Sequence, residues 1–203
     1  MTEGNTTQLQ RYLDLLRAGD EPARGALIQH SCERLMRLTR KMLKGYPRLR
    51  RWEQTDDVLQ NALLRLHRSL AEITPESVPQ FLGLAATQIR RSLIDLTRHH
   101  LGPEGYAARH HTDGNDTGRN LIVSQEPDKT AEPESLERWS KFHQHVEALP
   151  DKEREIFDLL WYQGLSQSEA ADALGVDLRT IKRRWRSARI IIYEALDGKS
   201  PEN

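Results

Sequence analysis

Residues 165–189 read LSQSEAADALGVDLRTIKRRWRSAR, and this stretch decides the fold of the C-terminal part of the chain. Ser166 and Glu169 have the spacing of a capping box, so we expect a short helix to begin directly after Ser166. Gly175 predicts a tight turn, and Asp177 is expected to cap a second helix. Two short helices joined by a glycine-containing turn form a helix-turn-helix, whose second helix is of a size to lie in the DNA major groove.

The second of these helices has one apolar and one basic face. Its apolar residues recur at intervals of three and four, which predicts a buried stripe of Leu178, Ile181, Trp185, Ala188 and Ile192. The residues away from this stripe are Arg179, Thr180, Lys182, Arg183, Arg186 and Arg189. Because recognition helices read bases with their N-terminal turns, we expect Arg179, Thr180 and Arg183 near base edges. Arg186 and Arg189 are expected near phosphates.

Basic runs of this kind are also typical of the solvated face of an ordinary amphipathic helix. Taken alone, the arginines do not separate the two interpretations. Their combination with the capping box, the glycine turn and the second cap favours a DNA-binding helix.

Composition excludes several other classes of protein. The 203 residues contain 30 basic and 30 acidic side chains and have a formal net charge of zero. Bases exceed acids in residues 1–100, whereas acids exceed bases in residues 101–148. No apolar run approaches the length of a membrane span and the N-terminus lacks a signal-peptide pattern, so we expect a cytoplasmic protein. The single cysteine, Cys32, excludes an intramolecular disulfide.

The chain is predicted to be all-α, with two small helical domains joined by a flexible linker. Residues 101–135 are rich in Gly, Pro, Asp, Asn and Ser and lack a sustained apolar period, which is typical of a linker. The apolar spacing on both sides of this segment is helical. We therefore expect an N-terminal helical domain over residues 1–100 and a C-terminal helix-turn-helix domain over residues 136–197.

Two helices of the N-terminal domain have distinctive surfaces. One is predicted to begin at Thr55, with its apolar residues on one side. The other side carries a polar strip with one exposed leucine, formed by Asp57, Gln60, Asn61 and Leu64. This strip is suited to docking on a partner helix, although solvated surface of the same composition is common. A later helix, over residues 81–100, ends in a basic cluster.

Three segments together resemble a known family. Residues 149–189 closely resemble the C-terminal DNA-binding region of bacterial sigma factors of the extracytoplasmic-function (ECF) group, in the sigma-70 family. DDVLQNALLRL, residues 56–66, is similar to the polymerase-binding helix of these proteins, with Asp57 and Gln60 at matching positions. FLGLAATQIRRSLID, residues 81–95, is similar to their promoter-melting helix.

The melting helix matches at Phe81, Arg90 and Asp95, but three positions depart from the family pattern. Leu84 replaces a common tryptophan, Arg91 an asparagine, and Asn61 a glutamate. These departures indicate an atypical branch.

The resemblance implies a specificity subunit that binds core RNA polymerase and promoter DNA, and it leaves open an additional anti-sigma protein. The first domain would bind polymerase through Asp57, Gln60, Asn61 and Leu64, and would open the minus-ten element with Phe81, Arg90, Arg91 and Arg98. Phe81 is equally well explained as an ordinary core residue. The second domain would hold the minus-thirty-five element through the basic helix face. The acidic linker is either a plain tether or threads the polymerase channel, which would place Asp113, Asp116, Glu126 and Asp128 among basic walls.

The sequence leaves one alternative function open and disfavours another. A transcriptional regulator could use the same helix-turn-helix without contacting polymerase through its first domain. A metal-dependent hydrolase is disfavoured because His99-His100, His110-His111 and His143-x-His145 lack the spacing that places two ligands on one helix face. The sequence also lacks a nucleophile with a nearby base and a Gly-rich phosphate loop. We therefore expect no enzyme activity, no cofactor and no metal.

Overall fold

The structure, a computed structural model, describes residues 3–44, 46, 55–101 and 133–198, and side chains from residue 6 to 44, at 46, from 55 to 99 and from 137 to 198. Its helices are α1 (Glu3–Arg17), α2 (Pro22–Leu43), α3 (Thr55–Glu72), α4 (Val78–Leu101), α5 (Pro133–Glu147), α6 (Asp151–Phe157), α7 (Gln167–Leu174) and α8 (Leu178–Ala195). A π-helical turn, Asp158–Tyr162, continues α6. These ranges contain no strand, and the predicted all-α fold is confirmed.

The four N-terminal helices enclose a core made mainly of leucine. α1 ends before Gly19, whose φ of +89° lies in the left-handed region, and α2 begins three residues later at Pro22. The large side chains most fully buried in this core are Leu9, Leu13, Leu27, Leu35, Leu66, Leu70, Phe81 and Leu82. The core therefore fixes α3 and α4, which carry the predicted polymerase and minus-ten residues.

The C-terminal helices enclose a smaller core of Ile156, Leu159, Leu165, Ala170, Ala171 and Ile181. This core packs α7 and α8 against the π-helical turn. The turn is wider than an α-helical one, as shown by the bond that the Gln163 amide donates to the Asp158 carbonyl, five residues earlier, at 3.1 Å.

A third apolar cluster joins the two halves of the chain. Its residues from α2 and α4 include Leu38, Met42, Ala86, Ile89 and Leu93, and those from the C-terminal helices include Phe142, Val146, Phe157, Tyr162, Ala188 and Ile192. α4 thus contacts α5 and the π-helical turn through a shared apolar layer, while its other side covers the N-terminal core.

The predicted domain limits stay a prediction. α5 begins at Pro133, inside the predicted linker of 101–135, and most of that linker, including Asp113, Asp116, Glu126 and Asp128, lies outside the described residues. In the described part of the chain, no helix is both long and apolar enough to cross a bilayer.

Candidate nucleic-acid interface

Helices α7 and α8 both begin at the caps that the sequence predicts. The Ser166 hydroxyl accepts a hydrogen bond from the Glu169 amide at 3.2 Å, and the Glu169 carboxylate accepts one from the Ser166 amide at 2.8 Å. Asp177 accepts bonds from the amide and the hydroxyl of Thr180 at 2.8 and 2.7 Å. The bond from the Thr180 hydroxyl, followed by the amide bond, lowers the pKa of Asp177. Both helix starts are therefore fixed by local hydrogen bonds.

One side of α8 packs into the protein. Ile181, Ala188 and Ile192 are buried, and Trp185 is half-buried with its ring centroid 5.5 Å from that of Phe157. Trp185 contacts both the C-terminal core and the cluster that joins the two halves. The tryptophan is thus a packing residue, as predicted.

The prediction that Leu178 belongs to the buried stripe is wrong. Its side chain is 41% exposed, and burial of α8 begins one turn later, at Ile181. The three-four spacing gives the direction in which a side chain points, but burial also requires a neighbouring element, and the rest of the described chain leaves the first turn of α8 partly uncovered.

The opposite side of α8 is a basic face, which we define as Arg179, Lys182, Arg183, Arg186 and Arg189. All five side chains are exposed, and none forms a salt bridge with another described residue. Thr180 is half-buried and its hydroxyl is already bonded to Asp177. The guanidinium of Arg189 lies 5.8 Å from the ring centroid of Trp185. The positive charge of this face is available to an anionic partner.

The predicted polymerase strip lies on the exposed side of α3. Asp57, Gln60, Asn61 and Leu64 are exposed, and Leu64 has 54% of its surface in solvent. The opposite side of the helix is buried in the two cores through Val58, Leu59, Ala62 and Leu66. The strip therefore forms one continuous surface that combines amides and a carboxylate with one apolar side chain.

Two of the predicted minus-ten residues are not on the surface. Phe81 is 0% exposed within the N-terminal core, where apolar neighbours surround its ring, so it cannot receive a base in this conformation. Arg90 is also 0% exposed, because it turns toward the C-terminal half. The expected exposure of both residues is thereby corrected. Arg91 and Arg98 are exposed, and a DNA-binding role for them stays a prediction.

Arg90 forms a buried ion pair with Asp158, the first residue of the π-helical turn. Its Nη1 donates to Oδ1 at 2.5 Å and its Nη2 to Oδ2 at 3.4 Å, and Nη2 also donates to the Thr87 hydroxyl at 3.0 Å. Its guanidinium lies 5.4 Å from the ring centroid of Tyr162. Burial acts to lower the pKa of Arg90, but the charge of Asp158 outweighs it and raises that pKa. Burial raises the pKa of Asp158, whereas the charge of Arg90 and its hydrogen bonds act to lower it, so the bidentate contact favours the charged form of the carboxylate.

The sequence contained a signal for this pair. Asp158 lies inside the run EIFDLLWY, between residues that the apolar period places in the core. A carboxylate in such a position is unstable unless a cation or several donors reach it, so a buried partner was to be expected. The partner itself lies 68 residues away along the chain, which local patterns do not reveal.

The described residues contain no group of three or more His, Cys, Asp or Glu side chains that could hold a metal ion. Of the predicted histidine pairs, His143 is buried against Tyr162, with the hydroxyl 2.7 Å from its Nδ1. The pair His110-His111 lies outside the described residues.

Comparison with known proteins gave a family match and several solved structures. The family model for the ECF sigma factor matches residues 6–198. The solved structures that match include "Structure of CnrH in complex with the cytosolic domain of CnrY", at 20% identity over 94% of this chain and 98% of that chain, with a TM-score of 0.36. A comparison with curated proteins gave no match.

Proposed function

This chain belongs to the ECF sigma factor family, and from that premise we propose that it binds core RNA polymerase and directs initiation at specific promoters. The family acts in transcription initiation and consists of transcription factors rather than enzymes. The alternative of a regulator that does not contact polymerase is less well supported, because the family match includes the N-terminal half as well as the helix-turn-helix.

The observation that carries the proposal is the basic face of α8, which is exposed while Trp185 is packed inside. We assign minus-thirty-five recognition to this face. Arg179, Thr180 and Arg183 lie in the first two turns of α8 and would approach base edges. The Thr180 hydroxyl donates its hydrogen bond to Asp177, so the methyl group of Thr180 is the part left to contact a thymine methyl. Lys182, Arg186 and Arg189 would contact phosphates.

We assign polymerase binding to the strip of Asp57, Gln60, Asn61 and Leu64, and minus-ten contacts to Arg91 and Arg98. In this proposal residues 1–100 serve polymerase and the minus-ten element, residues 136–197 hold the minus-thirty-five element, and residues 101–135 connect them. An anti-sigma partner stays a prediction.

Reconstituted transcription with core polymerase on a library of promoter sequences tests the function and reads out specificity together. We expect promoter-dependent transcripts that share a minus-ten and a minus-thirty-five sequence. Absence of any promoter-dependent transcript with properly folded protein would contradict the proposal.

Charge reversal at Asp57 tests the polymerase strip. Asp57→Lys should weaken binding to core polymerase, because a mixed polar surface matched to a partner does not tolerate an inverted charge. The matched control is Glu72→Lys, which makes the same change at an exposed site of α3 about 22 Å along the helix axis. Affinities are compared by co-elution and titration with labelled protein. Equal affinity for Asp57→Lys and the wild type would remove the strip from the interface.

A further inference from the structure

The chemistry of α4 differs from what its proposed role in promoter opening requires. A helix that tracks single-stranded DNA needs free cations, yet Arg90 is 0% exposed and both of its terminal nitrogens, Nη1 and Nη2, are hydrogen-bonded to Asp158 or Thr87. The Asp158 carboxylate belongs to the C-terminal half of the chain. A carboxylate and a phosphate offer a guanidinium the same two-oxygen geometry, so Asp158 occupies Arg90 as a nucleic-acid phosphate would.

Four polar contacts between the halves, this pair included, run in the same direction. Donors come from α2 and α4 of the N-terminal half, and acceptors come from α5 and the π-helical turn region of the C-terminal half. Besides Arg90 with Asp158, the contacts are Arg91 Nε with Glu147 Oε1 at 2.5 Å, Arg34 Nη2 with Gln163 Oε1 at 2.7 Å, and Lys41 Nζ with the Trp161 carbonyl oxygen. The C-terminal half thus presents an acceptor surface to basic groups of the N-terminal half, as nucleic acid does.

Because the Arg90–Asp158 ion pair is buried, its stability requires both side chains. A buried ion pair gains little over an apolar pair of the same volume, but removing one partner leaves an uncompensated charge that is strongly unfavourable. The side chains of Arg90 and Asp158 are 0% and 4% exposed, and the Arg90 Nε has no hydrogen-bond partner among the described residues. The contact between the halves therefore depends on Asp158 far more than on its exposed neighbours.

We propose that Asp158 holds this chain in a closed, autoinhibited conformation, in which the C-terminal half covers α4 and must separate from it before α4 can engage promoter DNA. The inhibition of promoter binding rests on the proposed function, whereas the closed conformation itself does not. The polymerase strip on α3 and the basic face of α8 stay exposed in the closed form. Encounter with polymerase and with duplex DNA can then precede opening, and opening is the step that gives access to α4.

The test is a distance measurement between the two halves in the full chain, without polymerase. Spin labels are placed at Glu72→Cys and Asp172→Cys, both exposed, in a Cys32→Ser background. Asp158→Asn should shift the distance distribution to longer values than in the wild type, because it leaves the Arg90 charge buried without a counter-ion. Asp151→Asn is the matched control, since it removes an exposed ion pair with Arg154 from the same helix.

A second variant separates the halves without changing any charge. A Cβ added at Gly83 of α4 would lie 3.9 Å from the Asp158 Oδ2, an ordinary contact, so Gly83→Ala should keep the closed distance. Gly83→Leu carries three further carbon atoms toward Asp158, and their steric clash should lengthen the distance between the two spin labels. Helical content by circular dichroism is measured for every variant.

Longer distances in Asp158→Asn and Gly83→Leu, with helical content retained and both controls at the wild-type distance, support the inference. An unchanged distance in both variants overturns it. If Asp158→Asn loses helical content, Gly83→Leu decides alone; if both lose it, the inference is overturned, because Asp158 would then support the fold rather than a contact between separable halves.

Failure of this inference differs from failure of the proposed function. Longer distances with no promoter-dependent transcription would keep the closed conformation and remove the sigma-factor assignment of the sites. Normal transcription with unchanged distances would do the reverse. A fluorescent single-stranded oligonucleotide with the selected minus-ten sequence links the two, and we expect Gly83→Leu to bind it more tightly than Gly83→Ala.

Discussion

The His143 side chain is buried among aromatic rings, close enough to Arg90 to feel its charge. It is 1% exposed, and its ring stacks between those of Tyr46 and Tyr162, with centroid distances of 5.6 and 5.8 Å. Burial, with a smaller contribution from the Arg90 charge, lowers the pKa of His143 to about 3. Protonation of this imidazole would place a second cation beside Arg90 without a new counter-ion.

This lowered pKa predicts a loss of stability in mild acid. Between pH 6.5 and about pH 3 the unfolded chain binds a proton at His143 that the folded chain does not, so the free energy of unfolding falls as the pH is lowered. The His143 contribution is a loss of about 2 kcal/mol between neutral pH and about pH 5. Urea unfolding at both pH values measures it. His143→Phe keeps an aromatic ring but does not titrate, and an equal pH dependence in this variant would contradict the prediction.

Residues whose partners are close in sequence could be predicted, and those with distant partners could not. The caps at Ser166 and Asp177 each depend on a residue three positions away, and the structure has both. The burial of Arg90 depends on Asp158, which is distant in sequence, and the family resemblance alone implied a DNA-contacting surface for Arg90. For Phe81 the sequence left a base-binding role and a core role open, and the structure has it in the core. Contacts between elements that are distant in sequence determine which side chains of such a helix are buried.

The turn between α7 and α8 sets the angle at which the basic face is presented. Gly175 ends α7 with φ +62° and ψ 33°, and its amide and that of Val176 return to carbonyls of the last turn, as in a glycine-ended helix. A Cβ at Gly175 would meet no atom within 4 Å. Substitutions here therefore act through the backbone conformation alone.

Gly175→Val should destabilise the C-terminal half by about 1–2 kcal/mol, the cost of holding an L-residue in the left-handed region, and the β-branched side chain adds to this cost. Gly175→Asn is the control of choice because asparagine tolerates this conformation. Urea unfolding followed by tryptophan fluorescence reports on this half, where Trp161 and Trp185 lie in or beside its core. Equal losses for Val and Asn would show that something other than φ determines stability at this turn.

Helix positions followed from apolar periodicity, but two features of the elements did not. The π-helical turn buries Asp158, Leu159 and Tyr162 together, and a period of 3.6 residues does not reveal a single wider turn. The exposure of Leu178 likewise depends on where the neighbouring helices end. Periodicity thus predicts that a helix forms and which of its faces is buried. Tertiary packing determines where a helical turn is wider and how many turns of the helix are covered by neighbouring elements.

The distribution of charge over the protein explains how a neutral chain can bind a polyanion. The formal net charge is zero, yet the basic face of α8 gathers five exposed cations on one helix. Meanwhile part of the basic excess of the N-terminal half is neutralised internally, since Arg90 and Arg91 are paired with carboxylates of the C-terminal half. In the closed form the α8 face is therefore the principal cationic surface that we assign to duplex DNA.

Binding of the isolated protein to duplex DNA should accordingly be weak and dependent on salt. Each phosphate contact contributes about −0.9 to the slope of log K against log salt concentration, so five cations set a limit of about −4.5. Arg186→Ala with Arg189→Ala should reduce the magnitude of the slope by about 2, because two phosphate contacts are lost. Lys152→Ala, an exposed lysine of α6 outside the basic face, is the matched control and should leave the slope unchanged. Fluorescence anisotropy with a labelled duplex over a salt series gives the slopes, and tight binding that is insensitive to salt would show that phosphate contacts from this face do not drive the association.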